Sequence, residues 1–462
     1  MVIPQYAGRT VAVLGLGKTG LSAARALTAG GARVLCWDDG EAKRAEAEAQ
    51  GFTCAEPTLA NWADIALCVW SPGIPHTHPK PHPAKAVLDR LGIAPVCDIE
   101  LLLARCADAF VVGITGTNGK STTTALIGHI LKSAGHRVEV GGNLGTPVLD
   151  LAPLPFFGTY VLELSSYQLE LTPSLDCDVA VLLNITPDHL ARHGGMDGYV
   201  AAKALIFKNQ HQPATAVIGQ DDRHCRGLTQ AVAQRVDQTV VPVRGDGEEP
   251  GGVFTLDGVL YDATDAGYPR EVIDLRGIPT LPGAHNWQNA CAAYAACRAR
   301  GVAPEDIAAA MRTFPGLAHR QELVAEVDGI RFVNDSKATN ADAAEKALLC
   351  YKDIYWILGG QAKEGGIESL LGYFPRIRHA YLIGEAAEAF GKTLGPHIAH
   401  SRCGTLEAAV AAATADARRD GRKGAVVLLS PACASWDQFK SFEHRGDVFR
   451  ALVRDITARG AA

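Results

Sequence analysis

The chain has 462 residues, a hydrophobic content of 47% and a formal net charge of −6. This length predicts two to four domains with full cores. The negative charge, without a long run of Lys or Arg, argues against nucleic acid as the main ligand. Twelve cysteines are scattered singly without a CxxC pair, so we expect reduced core thiols rather than disulfides or zinc. No apolar run approaches the ~20 residues of a membrane helix, and no signal-peptide pattern opens the chain, which predicts a cytoplasmic protein without membrane insertion.

The first segment has the pattern of a Rossmann-type βαβ unit. An apolar strand at residues 10–14 leads into GLGKTG at residues 15–20, and a second strand at 32–37 ends at Asp38. A GxGxxG turn with an acidic residue about 20 positions further on predicts a diphosphate site. Taken alone, the motif favours NAD, so an NAD-dependent oxidoreductase using these glycines and Asp38 stays open.

A third strand of this segment, at residues 65–70, runs into Ser71-Pro72-Gly73. We expect this turn at the carboxyl end of the sheet, where α/β proteins bind ligands. The proline-rich loop after it carries His76, His78 and His82. We expect solvated loop histidines there, because no carboxylate or cysteine joins them as a metal ligand would.

Residues 113–123, GITGTNGKSTT, join an apolar strand to a helix start. Such a turn presents backbone N–H groups and the positive end of the helix dipole to an anion. Lys120 adds a charge for the β- and γ-phosphates, and the hydroxyl of Ser121 or Thr122 can hold Mg²⁺. The sequence therefore predicts a P-loop that binds a nucleoside triphosphate, although the glycine spacing departs from the strict pattern.

Two further strands end in polar residues at the expected P-loop edge. The strand at residues 160–164 contains Glu163, and the strand at 179–185 is followed by Asp188 and His189. Carboxylate and imidazole groups near a triphosphate suit Mg²⁺. His189 and His193 are spaced i, i+4, but without a HExxH motif zinc is disfavoured.

Lys203 lies in an apolar stretch of a helix predicted at residues 196–209. The residues alone favour a lysine whose amine reaches the surface. Residues 235–280 lack helical periodicity and predict β structure or long loops. An Ala-rich helix follows residues 282–286 and extends to residue 300.

The last segment is again α/β, with strands predicted at residues 330–333, 354–358, 380–383 and 425–429. Three of these strands end in small or polar residues, which predicts a binding face for anionic ligands. The fold class is therefore α/β with three domains: a Rossmann-like N-terminal domain, a central P-loop ATPase-type parallel-sheet domain and a C-terminal Rossmann-like α/β domain. The predicted ranges are residues 1–105, 106–314 and 315–462.

Seven motifs occur in an order that resembles the Mur ligase family, the ATP-dependent amide-forming enzymes of peptidoglycan precursor synthesis. The resemblance spans the whole chain. The motifs are GTNGKST (116–122), LELSSYQLE (162–170), NITPDHLARH (184–193), HNWQNA (285–290), HR (319–320), NDSKATN (334–340) and SPACASWDQFKSFEHRG (430–446).

The resemblance implies the substrates ATP, UDP-N-acetylmuramoyl-L-alanine and D-glutamate, two Mg²⁺ ions, an acyl-phosphate intermediate and a monomer. It implies catalytic roles for Lys120, Glu163, His189 and Lys203, the last as a carbamate. Metal ligands would be Ser121, Thr122, Glu163, His189 and carbamylated Lys203. The ATP site would comprise Gly116, Thr117, Asn118, Gly119, Lys120, Ser121, Thr122, Asn286, Asn289, Arg320 and Asp335. The UDP-substrate site would comprise Lys18, Thr19, Asp38, Ser71, Pro72, Gly73, Asn143, Ser165 and Gln168. Glutamate would bind to Lys337, Thr339, Lys363, Ser435 and Phe442.

Three alternatives stay open. A folylpolyglutamate synthetase-like ligase shares the ATP and carbamyl-lysine motifs, but the GLGKTG-containing first domain argues against it. The oxidoreductase leaves residues 116–122 and 334–340 unexplained. A non-catalytic nucleotide-binding module is disfavoured because metal-type residues surround the loop.

Overall fold

The computed structural model describes residues 1–211, 213–235, 238–265, 268–362, 366–395 and 397–460. These residues form three sheets flanked by helices, most of whose strand pairs are parallel, so the predicted α/β class is confirmed. The chain divides into two compact units, Met1–Leu275 with Asn286–Phe314 and Arg276–His285 with Pro315–Ala462. The first unit contains two sheets and the second contains one. The three predicted domain ranges stay predictions.

The first sheet of the first unit has five strands, all paired in parallel, in the order β3-β2-β1-β4-β5. Strands β3 and β5 have two residues each, too few to show the alternation of apolar and polar residues, and the sequence did not predict them. The elements are β1 (Thr10–Leu14), α1 (Lys18–Ala29), β2 (Arg33–Trp37), α2 (Glu41–Ala49), β3 (Thr53–Cys54), β4 (Ile65–Trp70), α3 (Pro83–Leu91), β5 (Pro95–Val96) and α4 (Asp98–Arg105).

The glycines of the first turn let α1 approach β1 closely. A Cβ on Gly20 would lie 1.8 Å from the carbonyl oxygen of Gly15, and Gly15 itself has a φ of 91°. Both positions therefore require glycine. This is the geometry that the GxGxxG pattern predicts.

The second sheet has nine strands in the order β14-β13-β12-β11-β10-β9-β6-β8-β7, parallel except at the β12–β13 and β13–β14 pairs. The predicted β structure in residues 235–280 is confirmed as β11 to β14. The strands are β6 (Phe110–Thr115), β7 (Val138–Gly142), β8 (Thr159–Glu163), β9 (Val179–Leu182), β10 (Ala214–Gly219), β11 (Gln238–Arg244), β12 (Val253–Leu256), β13 (Val259–Asp262) and β14 (Arg270–Asp274). The helices are α5 (Lys120–Ser133), α6 (Ser166–Glu170), α7 (Leu190–His193), α8 (Met196–Ala204), α9 (Arg223–Ala233), α10 (Ala284–Ala299) and α11 (Pro304–Arg312).

The helix predicted at residues 196–209 is shorter than expected. Helix α8 ends at Ala204, and a 3-10 turn, Leu205–Phe207, follows it. This tighter turn places Ile206 and Phe207 in the core, each at most 1% exposed. The free energy gained by burying these two large side chains outweighs the free energy that a longer helix would gain.

The sheet of the second unit has the order β15-β16-β20-β17-β18-β19, in which only the β15–β16 pair is antiparallel. Strands β16, β20 and β17 are neighbours, so their polar ends share one edge as predicted. The sequence missed β15 and β19, both edge strands with few buried residues. The elements are β15 (Glu322–Val327), β16 (Ile330–Asn334), α12 (Ala341–Cys350), β17 (Ile354–Gly359), β18 (Ile377–Ile383), α13 (Ala387–Leu394), β19 (His400–Gly404), α14 (Leu406–Asp420), β20 (Val426–Leu429) and α15 (Phe442–Gly460).

All twelve cysteines lie in the described residues, and all are free. Eight are buried, and burial raises the thiol pKa of Cys36 and of Cys350 to about 12. Eight of the predicted core thiols therefore lie in the core, and their reduced state stays a prediction. Across the described chain, no helix has both the length and the apolar character that crossing a bilayer requires.

Candidate active site

The turn between β6 and α5 forms the predicted phosphate cradle. Gly116 and Gly119 adopt φ values of 155° and 85°, and α5 begins at Lys120. The Nζ of Lys120 donates to the carbonyl oxygens of Gly116 and Thr117, both at 2.8 Å. The first turn of α5 has backbone N–H groups without intrahelical acceptors, which suits an anion. Ser121 follows in this turn and is 5% exposed.

Asn184, which follows β9, holds the loop in place. Its Oδ1 accepts a hydrogen bond from the N–H of Asn118 at 2.8 Å, and its carbonyl accepts one from the N–H of Thr117 at 2.8 Å. Its Nδ2 donates to Gln288 on α10 at 3.1 Å. Asn184 was not among the predicted site residues. Its position directly after the buried strand beside the P-loop strand is the signal that could have found it.

Helix α10 brings two predicted nucleotide-binding residues to the cradle. A Cβ on Gly119 would lie 2.2 Å from Oδ1 of Asn289, so the loop packs directly on this amide. The Nδ2 of Asn289 donates to Oδ1 of Asn286 at 3.2 Å, and both residues are buried. Oδ1 of Asn289 is buried without a hydrogen-bond partner among the described residues. A polar ligand at the loop could use this acceptor.

Lys203 is buried under the cradle, not at the surface, so the interpretation from the residues alone was wrong. It is 1% exposed, and its Nζ donates to the carbonyl of Gly116 at 2.8 Å. Lys120 donates to the same carbonyl, which places two amines side by side. Burial first, and then the charge of Lys120, lowers the pKa of Lys203 well below 10.5. The shift favours the neutral form of the amine.

Glu163 ends β8, beside the P-loop strand β6. It is 3% exposed, and its Oε1 accepts a hydrogen bond from Nδ2 of Asn143 at 2.8 Å. Its Oε2 is buried without a hydrogen-bond partner among the described residues. A buried carboxylate oxygen without a donor is costly unless something else binds it. A cation such as Mg²⁺ fits this oxygen.

His189 has a left-handed backbone, with a φ of 52°, before α7. Burial lowers its pKa; Asp188 opposes this shift, and the charges of Lys120 and Lys203 add to it. The neutral imidazole that results is the form that binds metals. The lowered pKa fits the predicted metal role of His189, whose Nε2 lies 3.4 Å from Asp188.

His193 does not join His189 in a zinc site. Its Nε2 lies 2.9 Å from Oγ of Ser166 and its Nδ1 lies 3.2 Å from Oε1 of Glu170, so both ring nitrogens are engaged. No cluster of three His, Cys, Asp or Glu that could hold a metal is found in the described ranges. Zinc at His189 and His193 has no structural support.

The prediction of solvated histidines in the proline-rich loop was wrong for two of the three. The side chain of His76 is 10% exposed and lies 3.8 Å from Glu170. The side chain of His82 is 13% exposed; it lies 3.0 Å from Asp39, and it accepts the N–H of Ala84 as the N-cap of α3. Both imidazole rings contact carboxylates that are distant in the sequence, and both are therefore largely buried.

A cleft of about 330 Å³ brings together eight of the nine predicted UDP-substrate residues, all except Asp38, from both sheets of the first unit. Residues after β1 and β4 meet residues after β7 and β8 there. Tyr167 also lines the cleft and was not predicted. The lining residues include Lys18, Thr19, Ser71, Pro72, Gly73, Asn143, Ser165, Tyr167 and Gln168.

Asp38 has structural partners at the first glycine turn. Its carboxylate accepts hydrogen bonds from the N–H groups of Leu16 at 2.8 Å and Gly40 at 2.9 Å. Lys43 lies 3.5 Å from it. Burial raises the pKa of Asp38, but these bonds and Lys43 outweigh it and hold the pKa below its usual value. Its role toward UDP stays a prediction.

In the second unit, the loops after β16 and β20 carry most of the predicted glutamate residues. The Nζ of Lys337 lies 5.7 Å from the ring centre of Phe442. Ser435 is 2% exposed, and Thr339 donates its N–H to the carbonyl of Lys337 at 2.8 Å. The loops after β17 and β20 are joined by a bridge between Gln361 and Ala434. Lys363 lies outside the described residues.

Asp335, predicted at the ATP site together with Arg320, is buried at the end of β16. Its Oδ2 accepts the hydroxyl of Ser430 at 2.8 Å, and its Oδ1 accepts the N–H of Gln321 at 3.2 Å. Burial raises its pKa to about 7, while these bonds and the charge of Arg320 oppose the shift.

The chain has three sheets flanked by helices, and the second sheet carries a P-loop. These features place the protein in the class of nucleotide-dependent enzymes. The family described as Mur ligase middle domain matches residues 114–297, and the family described as Mur ligase, glutamate ligase domain, matches residues 319–433. The chain belongs to the Mur ligase family, as its motifs predicted.

Curated relatives match the chain over its full length. A Rhodospirillum rubrum protein named UDP-N-acetylmuramoylalanine--D-glutamate ligase is 59% identical over 99% of this chain and 97% of its own length. A Paramagnetospirillum magneticum protein of the same name is 56% identical over 100% of this chain and 99% of its own. These full-length matches to ligases disfavour the NAD-dependent oxidoreductase.

Two solved structures are similar in fold. The UDP-N-acetylmuramate-alanine ligase of Thermotoga maritima has a TM-score of 0.58 at 16% identity, covering 97% of this chain and 99% of that one. A MurF structure from Acinetobacter baumannii has a TM-score of 0.56 at 22% identity, covering 80% and 81%. At these identities the likeness concerns the fold alone.

Proposed function

We propose that this chain is an ATP-dependent ligase that adds D-glutamate to UDP-N-acetylmuramoyl-L-alanine in cytoplasmic peptidoglycan precursor synthesis. The observation that carries the proposal is the full-length identity of 59% to a relative named for this activity. Twelve free thiols are consistent with a reducing compartment. We further propose that the enzyme acts as a monomer.

Each proposed domain has a separate task. Residues 1–105 bind the UDP substrate, residues 106–314 bind ATP, and residues 315–462 bind the amino acid. The cleft that joins Lys18 and Ser71 to Asn143 and Gln168 supports the first assignment. The cradle around Lys120 and Asn289 supports the second.

The reaction proceeds in two transfers. An oxygen of the alanyl carboxylate attacks the γ-phosphorus of ATP, which forms an acyl phosphate and releases ADP. The glutamate amine then attacks the acyl carbon, the amide bond forms, and phosphate and a proton leave. Lys120 neutralises charge that develops on the phosphoryl oxygens.

We propose that Mg²⁺ binds beside the cradle, where Ser121, Thr122, Glu163, His189 and Lys203 are its candidate ligands. The unpartnered Oε2 of Glu163 supports this choice. The ion, when bound, neutralises phosphate charge. Two ions are proposed, because carbamylated Lys203 would add a second carboxylate to the set.

Carbamylation of Lys203 requires a neutral amine, which adds to CO₂ to form an N–C bond and releases a proton. The burial of Lys203 and its lowered pKa support this modification. The carbamate would place an anion beside the cation of Lys120, so that the two groups attract each other. We expect Lys203→Ala to lose activity and added carboxylate ions to restore part of it.

The function is tested by phosphate release with ATP, UDP-N-acetylmuramoyl-L-alanine and each candidate amino acid in turn. We expect release only when D-glutamate is present, and none in Lys120→Ala. Lys132→Ala, at an exposed position of the same helix α5, is the matched control and should keep full activity. Phosphate release with another amino acid would overturn the assignment of D-glutamate as the substrate. Substantial turnover in Lys120→Ala would overturn the P-loop assignment.

A further inference from the structure

Arg445 in the second unit is a cation with no exposed surface. Its Nε donates to Oγ of Ser336 at 3.0 Å, and its Nη2 donates to the carbonyls of Ser336 at 2.9 Å and Cys433 at 3.2 Å. Its Nη1 donates to the carbonyl of Ala434 at 3.4 Å. In the described part of the chain, no carboxylate lies within ion-pair distance of this guanidinium. Neutral acceptors therefore make its hydrogen bonds, and the carboxylates of Asp437 and Asp335 act on the charge only from beyond ion-pair distance.

Stability alone does not explain this arrangement. Burial of a charge without a counter-ion costs free energy, and an apolar side chain of similar volume avoids that cost. Arg445 also lies near the start of α15, where the helix dipole disfavours a cation. Burial lowers its pKa to about 10, so the group remains charged at neutral pH. A charge kept at an unfavourable position points to a function that needs it.

The partners of Arg445 belong to the two loops that carry candidate glutamate residues. Ser336 directly precedes Lys337, after β16, and Cys433 and Ala434 directly precede Ser435, after β20. Because β16 and β20 are neighbouring parallel strands, their carboxyl ends lie at the same edge of the sheet. Arg445 therefore ties together the two loops at this edge of the sheet.

We propose that Arg445 is a positioning residue of the amino-acid site, which holds the loops of Lys337 and Ser435 at the spacing that a dicarboxylic amino acid requires. Its charge, which has no carboxylate in direct contact, also contributes a positive potential that favours the two carboxylates of the ligand. The proposal rests on the assignment of glutamate to this unit.

The test compares Arg445→Met and Arg445→Lys with Arg450→Met in the full-length enzyme. Arg450 lies on the same helix α15, but its guanidinium pairs with Glu322 at 2.8 Å and Asp447 at 3.1 Å and makes no hydrogen bond to either loop. We expect Arg445→Met to raise the KM for D-glutamate roughly tenfold, as the loss of a charge several ångströms away in the interior does. The KM values for ATP and for the UDP substrate should not change. Arg445→Lys keeps the charge and should restore most of the affinity.

A neutral competitor separates the charge from the loop spacing. D-Glutamine lacks the side-chain carboxylate, so its inhibition constant should rise less in Arg445→Met than the KM of D-glutamate does. Should Arg445→Met not fold, Ser336→Ala removes one acceptor of the guanidinium, and the glutamate KM alone should rise. An unchanged glutamate KM, or an equal rise for all three substrates, overturns the inference. If the wild-type enzyme releases no phosphate with glutamate, the proposed function fails instead.

Discussion

Asn143 donates a hydrogen bond to Oε1 of Glu163 at 2.8 Å and leaves Oε2 of the same carboxylate buried without a partner among the described residues. The amide fixes the carboxylate, and the second oxygen remains available for a cation. We therefore expect Glu163→Gln to lower ATP-dependent phosphate release about 100-fold, as the loss of one electrostatic contact to a transferring group does. The measurement is kcat at saturating ATP over a range of Mg²⁺ concentrations.

The control for this prediction is Glu139→Gln on β7, a strand of the same sheet. We expect Glu139→Gln to keep the activity and the Mg²⁺ dependence of the wild type. Thermal melting should show both variants folded. A Glu163→Gln enzyme with normal turnover at limiting Mg²⁺ would remove Glu163 from the metal set.

Lys203 makes the stability of the protein depend on pH. Its folded-state pKa lies well below the 10.5 of the unfolded chain, so the unfolded state binds more protons between these two values. In CO₂-free buffer, stability should therefore rise as the pH rises through this window. Lys203→Met removes the buried amine and should flatten this dependence and raise the denaturation midpoint at neutral pH. Urea denaturation between pH 6 and pH 9 measures both effects.

Lys208→Met replaces an exposed lysine just beyond the 3-10 turn that follows α8 and serves as the control. Its denaturation midpoint should follow the wild-type pH dependence. If Lys203→Met shows the same slope as the wild type, folding does not lower the pKa of Lys203. Added bicarbonate should stabilise the wild type and leave Lys203→Met unaffected, because only the wild type has the amine.

Arg192 connects the two sheets of the first unit at the cleft that we propose for the UDP substrate. Its Nη2 donates to the carbonyl of Pro72 at 3.0 Å, its Nη1 donates to that of His78 at 3.2 Å, and its guanidinium lies 4.6 Å from the ring centre of Tyr167. Arg192→Met should release the loop that contains Ser71 and raise the KM for the UDP substrate roughly tenfold, the cost of losing a charged hydrogen bond. The KM for ATP should not change.

Arg235→Met is the matched control, because Arg235 also donates to backbone carbonyls, those of Phe207 at 2.7 Å and Gln210 at 3.1 Å, outside the cleft lining. It should lower the melting temperature without a change in the KM for the UDP substrate. Equal KM values in Arg192→Met and wild type would show that Arg192 serves only folding.

The features that were predicted correctly depend on residues that are close together in the sequence. The turn at residues 15–20 and the loop around Gly119 are set by glycine spacing, and both adopt the expected geometry. The burial of Lys203 could not be read locally, because its acceptor, the carbonyl of Gly116, lies 87 residues away. Arg192 and Arg445 look like surface residues in the sequence, yet their partners are up to 120 and 109 residues distant. Loops at strand ends were predictable, whereas the side chains that tie them together were not.

Gly119 links backbone conformation to nucleotide binding. With a φ of 85° and a Cβ position 2.2 Å from Oδ1 of Asn289, alanine there meets both strain and a clash. Gly135, just beyond α5, has a similar φ of 82° but nothing within 4 Å of its Cβ position. Gly135→Ala should therefore cost only the strain, about 1 to 2 kcal/mol. Gly119→Ala should lower the free energy of unfolding by more than this. It should also displace Asn289, so that the affinity for ATP falls while the affinity for the UDP substrate does not. Titration calorimetry and thermal melting of both variants measure this, and equal ATP affinities would contradict the contact between Gly119 and Asn289.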